Sequence, residues 1–501
     1  MKRLLWIVVM GSLFMGLHAQ NQTFYDAAIG STQEVNGTAR FMAVGGAMGA
    51  LGGDASVVAY NPAGIGVYRS SELTLTGNIH WTNTSMNGSS PHDELSANLA
   101  NVAYIGTWLN PKNKGLITLN FGVTYNRLKN FSREGRYSAD SNQSMSQFLA
   151  YQTEGIPASY FSESLFKQFN NEELGWNSIL GYKAGLFSET GNNNQYLSHY
   201  DKIGGGLVSS NLQFSEYGST NEYGFSIGGN VANMLYWGMS FNCDYLLYSK
   251  QTAYQEHMKD NQSFTWNTLH QIEGCGFTYK VGLIVKPVNW LRIGAAFHTP
   301  TWYVLNDWSS ASVSYRNGSS FSNSITDTPE AEGSFYLQSP LSAMGSLGFV
   351  LGKFGFIGID YQYRNTSCMQ LKDQYRSLQQ EMNDACKESY VDTHAIRIGL
   401  EVKPIDALAL RVGGGYTLPN TQADAARYYY SNDVRCDVDY YNTKESYNVT
   451  AGIGCRIGRH ALDLAYIWQV NNADYVAYGG AEPVSMRSVR NQIALTYGIR
   501  F

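Results

Sequence analysis

Alternation of apolar and polar side chains is the dominant pattern of this sequence from Glu72 onward. Segments of about ten residues alternate strictly and are separated by turn residues, as in β-strands with one apolar and one polar face. In the first segment, Leu73 and Leu75 fall on one face, and Thr74 and Thr76 on the other. The pattern predicts fourteen strands, over residues 72–81, 98–109, 116–128, 220–231, 236–251, 273–285, 290–302, 336–351, 354–366, 393–402, 407–417, 446–457, 460–469 and 489–501.

The connections between these strands alternate in length. Tight turns, such as 110–115 and 232–235, follow the even-numbered strands, and long polar loops follow the odd-numbered ones. The longest loop runs from about 129 to 219. Short turns on one side and long loops on the other are typical of outer-membrane barrels. We therefore predict an all-β protein, a 14-stranded antiparallel transmembrane β-barrel with helical extracellular loops.

Charged side chains within the predicted strands separate from the apolar face. Only Arg127, at a strand end, shares the parity of the apolar residues. Because a charge that faces lipid costs roughly 2 to 4 kcal/mol at mid-bilayer, this separation predicts an apolar exterior and a polar lumen. Cross-strand ion pairs within the lumen are the simpler interpretation of the inward-facing charges, and contact with a substrate is the alternative. These charges are Arg292, Asp360, Arg397, Glu401, Arg411, Arg456 and Asp463.

The two ends of the chain carry export and assembly signals. Lys2 and Arg3 precede an apolar run, and a small residue precedes a predicted cleavage between Ala19 and Gln20, so residues 1–19 are expected to be a signal peptide. The last strand alternates up to Phe501, which is typical of the strand that barrel-assembly machinery recognises. We predict a multi-pass barrel in the outer membrane of a Gram-negative bacterium, in contact with its lipids.

Composition and motifs argue against several other functions. A formal net charge of −5 offers no basic surface for nucleic acid. Gly46, Gly49 and Gly52 recur at period three, which is not a phosphate-binding loop, and the histidines are scattered rather than set at metal-ligand spacing. His80 and His298 have inward parity and are expected to be lumen polar residues. We predict no enzyme activity, no cofactor and no metal.

The six cysteines fall into two groups. Cys243, Cys275 and Cys455 lie on the apolar parity of their strands and are expected to face lipid. The other three, Cys368, Cys386 and Cys436, fall in outer loops, where a disulfide is favoured. Apolar residues at 371, 375, 378 and 382 predict a helix face, and an unbroken helix would hold Cys368 and Cys386 too far apart. The pairing with Cys436 stays equally open.

The long loop of residues 129–219 is unusually apolar. Phe161, Leu165 and Phe169 recur at helical spacing, as do Trp176 and Ile179. These side chains are expected to pack against one another, or to line a site for an apolar ligand at the barrel rim. Both interpretations remain open from the sequence.

One segment before the first strand resembles a known family. Residues 40–66, RFMAVGGAMGALGGDASVVAYNPAGIG, resemble the N-terminal hatch of the FadL/TodX-type outer-membrane transporters of long-chain fatty acids and other hydrophobic compounds. The resemblance implies a hatch over residues 20–71 that plugs the lumen of a barrel formed by residues 72–501. The implied hatch residues are Gly53, Asp54, Ala55, Ser56, Asn61, Pro62, Ala63 and Gly64.

The same resemblance implies a mechanism. A hydrophobic small molecule would bind first in an outer groove, the hatch would rearrange, and release would occur sideways through a gap at a kink in the third strand. Gly122 lies in that strand and is a candidate for the kink. No partner subunit is implied, so a monomer is expected. The groove residues would be Phe161, Leu165, Phe166, Phe169, Trp176 and Ile179.

Two other functions compete with transport. A FadL-like barrel of the PorV type docks secreted or surface proteins and shares the hatch motif. A haem receptor is the second rival, weakened by the absence of a clustered axial-ligand pair. Within the hatch, we expect Asp54 and Asn61 to form hydrogen bonds with inward-facing ions such as Arg397 or Arg411.

Overall fold

The structure, a computed structural model, describes residues 24–29, 34–89, 91–111, 115–191, 194–317, 320–430 and 432–501. The predicted signal peptide, residues 1–19, lies outside these residues. The helices are short, and no helix of the described residues is long and apolar enough to cross a membrane. They are α1 (Phe24–Ile29), α2 (Ala39–Ala43), α3 (Val57–Tyr60), α4 (Met145–Thr153), α5 (Leu165–Phe169), α6 (Trp176–Ala184), α7 (His199–Lys202) and α8 (Gln380–Ser389), with 3₁₀ turns at Pro62–Val67, Ala158–Ser162 and Thr366–Cys368.

Most of the chain forms strands. They are β1 (Glu72–Met86), β2 (His92–Leu109), β3 (Leu116–Asn130), β4 (Arg133–Ser141), β5 (Phe187–Glu189), β6 (Tyr196–Ser198), β7 (Val208–Val231), β8 (Leu235–Met258), β9 (Gln262–Val288), β10 (Leu291–His298), β11 (Trp302–Asn317), β12 (Ser320–Asp327), β13 (Ala331–Gln338), β14 (Ser342–Val350), β15 (Gly355–Arg364), β16 (Gln370–Lys372), β17 (Thr393–Ile405), β18 (Leu408–Thr417), β19 (Tyr440–Ile457), β20 (His460–Val476) and β21 (Val484–Arg500).

Fourteen of these strands close into an antiparallel barrel. Each pairs with the next in the order β1, β2, β3, β7, β8, β9, β10, β14, β15, β17, β18, β19, β20, β21, and β21 returns to pair with β1. Five strands extend this sheet beyond the barrel: β4 on β7, β11 on β9, β12 and β13 on β11, and β16 on β13. The predicted all-β, 14-stranded antiparallel barrel is therefore confirmed.

Several strands run further outward than their apolar alternation predicted. β7 begins at Val208 rather than at 220, and β9 begins at Gln262 rather than at 273. In these extensions the pattern reverses, because Phe214 and Trp266 face inward and are buried while polar residues face outward. Two predicted strands were too long. β10 ends at His298, and Pro300 interrupts the strand before β11 begins. The strand predicted over 336–351 is divided between β13, which ends at Gln338, and β14, which begins at Ser342.

The outer surface of the barrel wall is an apolar belt. Leu75, Phe225, Ile398 and Leu495 are each about half exposed, whereas the inward-facing Thr76 beside Leu75 is fully buried. An apolar surface of this extent is unstable in water and matches the lipid-facing band of an outer-membrane barrel. The predicted apolar exterior and polar lumen are therefore confirmed.

The segment of residues 34–71, which we call the plug, lies inside the barrel. Polar wall side chains reach it from opposite sides. Thr450 on β19 donates to the carbonyl of Ala43 at 2.9 Å, and Asn120 on β3 donates to the carbonyl of Ile65 at 2.6 Å. The plug thus spans the lumen from wall to wall. The division into residues 1–19, 20–71 and 72–501 stays a prediction.

Wall glycines allow the plug backbone to approach the barrel closely. Ten consecutive strands, from β3 to β19, each place one glycine opposite the plug, and we call these residues the glycine belt. A methyl group added at Gly413 would lie 2.5 Å from the amide nitrogen of Gly45, and one added at Gly294 would lie 3.0 Å from the Cα of Ala50. Such contacts leave no room for any side chain. The glycine belt consists of Gly122, Gly228, Gly238, Gly282, Gly294, Gly348, Gly358, Gly399, Gly413 and Gly452.

The substitution Gly413→Ala is expected to unseat the plug. Its methyl group would overlap the backbone at Val44 and Gly45, and forced overpacking of this kind costs about 1 to 3 kcal/mol. Thermal unfolding should therefore begin at a lower temperature, and limited proteolysis should cut the plug faster. Gly345→Ala is the matched control, because a methyl group there meets nothing within 4 Å. Equal stability and plug protection in both variants would contradict the packing role of the belt.

Candidate functional site in the barrel lumen

The plug is held in shape by its own polar side chains. Both carboxylate oxygens of Asp54 accept from the hydroxyl of Thr38, at 2.8 and 2.9 Å, and Oδ1 also accepts from the amide of Ser56. Asn61 donates to the carbonyl of Gly49 at 2.7 Å and accepts from the amide of Ala63. The expectation that Asp54 and Asn61 bind Arg397 or Arg411 is therefore wrong. Their hydrogen-bond partners lie within the plug rather than on the wall.

The remaining predicted hatch residues lie in the same packed segment. Pro62 starts a 3₁₀ turn that Asn61 caps, and Ala63 and Gly64 within it are buried. Gly53 has a positive φ of 67° and accepts at its carbonyl from Arg40. The other two are Ala55 and Ser56, both buried, and the Ser56 hydroxyl accepts from the amide of Thr38.

Inward-facing ions of the wall fasten the plug. Arg40 of the plug lies 3.1 Å from Glu401, which also pairs with Arg411 at 2.7 Å. Arg411 in turn lies 2.6 Å from Asp463. Asp360 accepts from the amide of Gly49 at 2.9 Å. Of the lumen charges predicted from sequence, Glu401, Arg411 and Asp463 thus pair across strands. Glu401 and Asp360 also bind the plug.

Other wall side chains donate to plug carbonyls. His298 lies 2.7 Å from the carbonyl oxygen of Tyr60, and Lys280 donates to the carbonyl of Ala59 at 2.9 Å. Arg292 donates to the carbonyl of Leu51. His80, in contrast, is buried against the neighbouring Asn98. These contacts satisfy backbone oxygens that the short plug helices leave without a partner.

A cavity of about 260 Å³ lies between the plug and the outer loops, and we call it the lumen cavity. Arg364 and Arg397, from neighbouring strands β15 and β17, lie on one side of it. Arg397 donates to Gln362 at 2.7 Å, whereas its Nη1 is buried without a hydrogen-bond partner among the described residues. Five tyrosines also line the lumen cavity. They are Tyr25, Tyr248, Tyr390, Tyr440 and Tyr441.

The upper end of the lumen cavity is closed by a buried ionic cluster. Arg435 of the loop before β19 pairs with Asp26 of α1 at 2.5 Å and with Asp437 at 2.6 Å. The guanidinium groups of Arg435 and Arg427 hold the pKa of the Asp437 carboxyl well below its usual range, against the opposing effect of burial. The cluster therefore ties the N-terminal helix to an outer loop.

The predicted groove residues do not all lie together. Phe161, Phe169, Trp176 and Ile179 are buried and pack with other apolar side chains of the loops in one core. Leu165 is 46% exposed and Phe166 is 79% exposed. Internal packing, the simpler of the two interpretations, accounts for the four buried residues. Ligand contact remains a prediction for the set, with Leu165 and Phe166 as its accessible members.

The wall is interrupted beside the lumen cavity. β2 pairs with β3 only from Asn101 opposite Asn126 to Leu109 opposite Thr118, so that the described residues 92–100 pair with β1 alone. Residues 129–131, which follow the part of β3 that pairs with β2, line the lumen cavity. Gly122 itself stays paired with both neighbouring strands, and its inward face packs against Ile65 of the plug.

The loop cysteines and the helix predicted near them differ from expectation. The six cysteines, all among the described residues, are free thiols. Cys386 and Cys436 are buried in different apolar clusters, and burial raises the pKa of the Cys386 thiol to about 12. The predicted helix face is also wrong, because residues 370–372 form β16 and α8 begins only at Gln380. Backbone pairing with β13 holds Leu371 in an extended strand.

Comparison with known proteins agrees with this architecture. The solved structure of a FadL homologue of Pseudomonas aeruginosa superimposes with a TM-score of 0.55 and 12% identity, covering 94% of this chain and 100% of that one. The chain has the FadL fold. The Pseudomonas putida toluene transporter TodX matches at a TM-score of 0.47 and 13% identity, over 94% of this chain and 100% of that one, which is too distant to add to the argument. No protein-family model matches the chain, and no curated protein matches it significantly.

Sequence patterns alone did not reveal the full lumen cavity of this FadL-type barrel. Arg364 and Arg397 could be placed by their inward parity. Tyr25 and Tyr390 could not, since α1 is a six-residue helix and Tyr390 lies in a loop without regular spacing. Within the described residues, His, Cys, Asp and Glu do not form a group of three or more that could hold a metal ion.

The burial of Asp433 predicts that the stability of the outer loops depends on pH. Burial raises its pKa to about 7, although Arg427 and Arg435 oppose this shift, and its carbonyl accepts from the amide of Trp176 at 2.9 Å. Ionised Asp433 is thus disfavoured in the folded loop. Loop stability should fall as pH rises from about 4, near the pKa of an unfolded aspartate, through 7. Hydrogen exchange around Trp176, corrected for intrinsic rates, should be slower at pH 5 than at pH 8.

The variant Asp433→Asn tests whether Asp433 causes this pH dependence. It removes the titrating group and keeps the shape of the side chain, so the difference in exchange between pH 5 and pH 8 should disappear. The exposed Glu482→Asn should keep the wild-type difference. If the difference in hydrogen exchange between pH 5 and pH 8 persists in Asp433→Asn, a group other than Asp433 causes it.

Proposed function

We propose that the protein carries hydrophobic compounds, long-chain fatty acids or similar molecules, passively across the outer membrane. The observation that carries this proposal is the lumen cavity, which lies between the outer loops and the plug and combines tyrosine rings with Arg364 and Arg397. Hydrocarbon packs well on aromatic rings, and guanidinium groups bind carboxylates strongly. The cavity therefore suits an amphiphile with an anionic head. The FadL fold supports the same proposal.

Passive transport is sufficient for such molecules. Each buried CH₂ group contributes about 0.8 kcal/mol, so a long chain binds tightly through its apolar area alone. The same chain partitions readily into hydrocarbon once it has crossed the polar outer surface. A concentration gradient then drives net movement without a separate energy source.

The proposed route has three steps. The compound first meets the exposed Leu165 and Phe166 on the outer loop, which the buried Phe161, Phe169, Trp176 and Ile179 support. It then enters the lumen cavity, and a rearrangement of the plug opens the path. Release occurs sideways where β2 leaves β3, next to the lumen cavity.

We further propose two interaction partners, the membrane lipids and the barrel-assembly machinery, and a monomeric state. The apolar belt contacts outer-membrane lipids. The last strand, β21, followed by the exposed Phe501, is recognised by the barrel-assembly machinery. The protein acts as a monomer, because the barrel closes on itself through β1 and β21.

Replacement of Arg397 by glutamine should weaken binding of a charged ligand selectively. The substitution keeps a polar side chain beside the lumen cavity and removes the cation, so oleate affinity should fall about tenfold, as expected for the loss of a charge-assisted contact of about 1.5 kcal/mol. Methyl oleate, which lacks the charge, should bind equally well to both proteins. Binding by the purified protein and oleate uptake by cells are the two measurements.

Arg487→Gln, at an exposed arginine of β21, is the matched control and should retain full affinity. The absence of saturable binding and of uptake in the wild-type protein, with either ligand, would contradict the transport proposal.

A docking function, as in PorV-type barrels, is the second candidate, and the exposure of Phe166 favours it. Phe166→Asp separates the two functions because a surface ring can change without unfolding the loop core. If the loop docks other proteins, this variant should release them while oleate binding to the lumen cavity stays normal. Tyr375→Asp, at an exposed ring of another outer loop, is the control.

A further inference from the structure

The short-turn end of the barrel contains a second cavity, of about 390 Å³, on the opposite side of the plug. We call it the vestibule. Plug residues 51–53 and 67–70 form its roof, and inward-facing residues of the wall form its sides. Short turns mark the periplasmic end of an outer-membrane barrel, so the vestibule opens toward the periplasm.

The vestibule carries an excess of positive charge. Eight basic side chains line it, against the three acidic side chains of Glu401, Asp406 and Asp463. Glu72 does not line the vestibule but pairs with Arg500, which does. With Glu72 counted, eight basic side chains face four acidic ones, an excess of four positive charges. The basic residues are Arg40, Arg69, Arg292, Lys353, Lys403, Arg411, Arg456 and Arg500.

Half of these basic residues form ion pairs. Glu401 forms ion pairs with Arg40, Arg411 and Lys403, the last at 3.5 Å. Glu72 forms an ion pair with Arg500 at 2.9 Å. The other four have no ion pair among the described residues: they are Arg69, Arg292, Lys353 and Arg456. Arg456 is exposed and lies close to Arg40 and Arg500. The nearby acids are Glu72 and Asp463, each of which already pairs with another arginine. Such crowding of like charges in a walled cleft concentrates positive potential and attracts anions.

The spread of these cations selects the kind of anion. Arg292 on β10 and Arg456 on β19 are separated by five strand-to-strand steps, or roughly 24 Å along the wall at about 4.8 Å per step. A single phosphate or carboxylate group is too small to contact both Arg292 and Arg456. An extended peptide, at about 3.3 Å per residue, covers the distance with about seven residues. Lipid headgroups do not fit, because the cations line the lumen side of the wall.

We propose that the vestibule binds an acidic peptide segment of a periplasmic partner protein. Its carboxylates occupy the positions left by missing counter-charges at Arg292, Lys353 and Arg456. Because Arg292 also donates to the carbonyl of Leu51, the bound segment lies directly against the plug. This interaction goes beyond transport and does not depend on which compound the lumen cavity takes.

Fluorescence anisotropy with labelled peptides tests the proposal on the full-length protein in an uncharged detergent. The probes are a ten-residue peptide of alternating Glu and Ser and its counterpart of alternating Gln and Ser. The Glu peptide should bind saturably and lose affinity with added salt, and the Gln peptide should not bind. The double variant Lys353→Gln with Arg456→Gln should bind the Glu peptide at least tenfold more weakly.

Lys286→Gln with Arg459→Gln is the matched control, because these two cations lie at the same end of the barrel without lining the vestibule. This control should stay within twofold of the wild type. The proposal is overturned if the wild type does not bind the Glu peptide, or if both double variants weaken binding equally. It is also overturned if inorganic pyrophosphate displaces the peptide at equal or lower concentration, since that result identifies a small-anion site.

Discussion

Direct contact between the plug and the glycine belt is the constraint on which the rest of this structure depends. Ten neighbouring strands each omit a side chain at the level of the plug, so the wall and the plug meet without an intervening layer. Interiors are close-packed, and even one added methylene is felt there. The belt therefore fixes where the plug can lie, and the polar contacts of the plug follow from that position.

This seal divides the lumen into two compartments with different chemistry. On the side of the long loops, the lumen cavity brings tyrosine rings together with arginines. On the side of the short turns, the vestibule is dominated by unmatched positive charge. Arg40 and Arg292 line the vestibule and also hold the plug, so a molecule bound there acts on the groups that keep the barrel closed.

The sequence predicted the membrane-spanning parts of the strands, where lipid on one side requires apolar and polar side chains to alternate. Strands β1 and β21 were recognisable because their apolar faces alternate with polar ones across the whole membrane. The outward extensions of β7 and β9 were missed, since Phe214 and Trp266 reverse the alternation where the wall leaves the lipid and encloses the loop core.

The candidate site was only partly predictable for a different physical reason. Arg397 has an inward parity that the sequence reveals, but the lumen cavity is completed by Tyr25 and Tyr390 from segments with no periodic signal. Asp54 was expected to bind the wall, yet Thr38 and Ser56 of the plug satisfy it. Hydrogen bonds of short polar side chains within the plug compete effectively with partners on the wall, and a sequence pattern does not rank them.

In the proposed transport, the tightly seated plug must move before a compound can pass. The double variant Gly49→Cys with Ser346→Cys can lock the plug to the wall, because a Cβ at Gly49 would already contact the Ser346 side chain. Oleate uptake is measured with the disulfide formed and again after reduction, with each single variant as a control. Oxidation should abolish uptake, and reduction should restore it. Uptake at the wild-type rate by the fully cross-linked protein would show that the plug need not move.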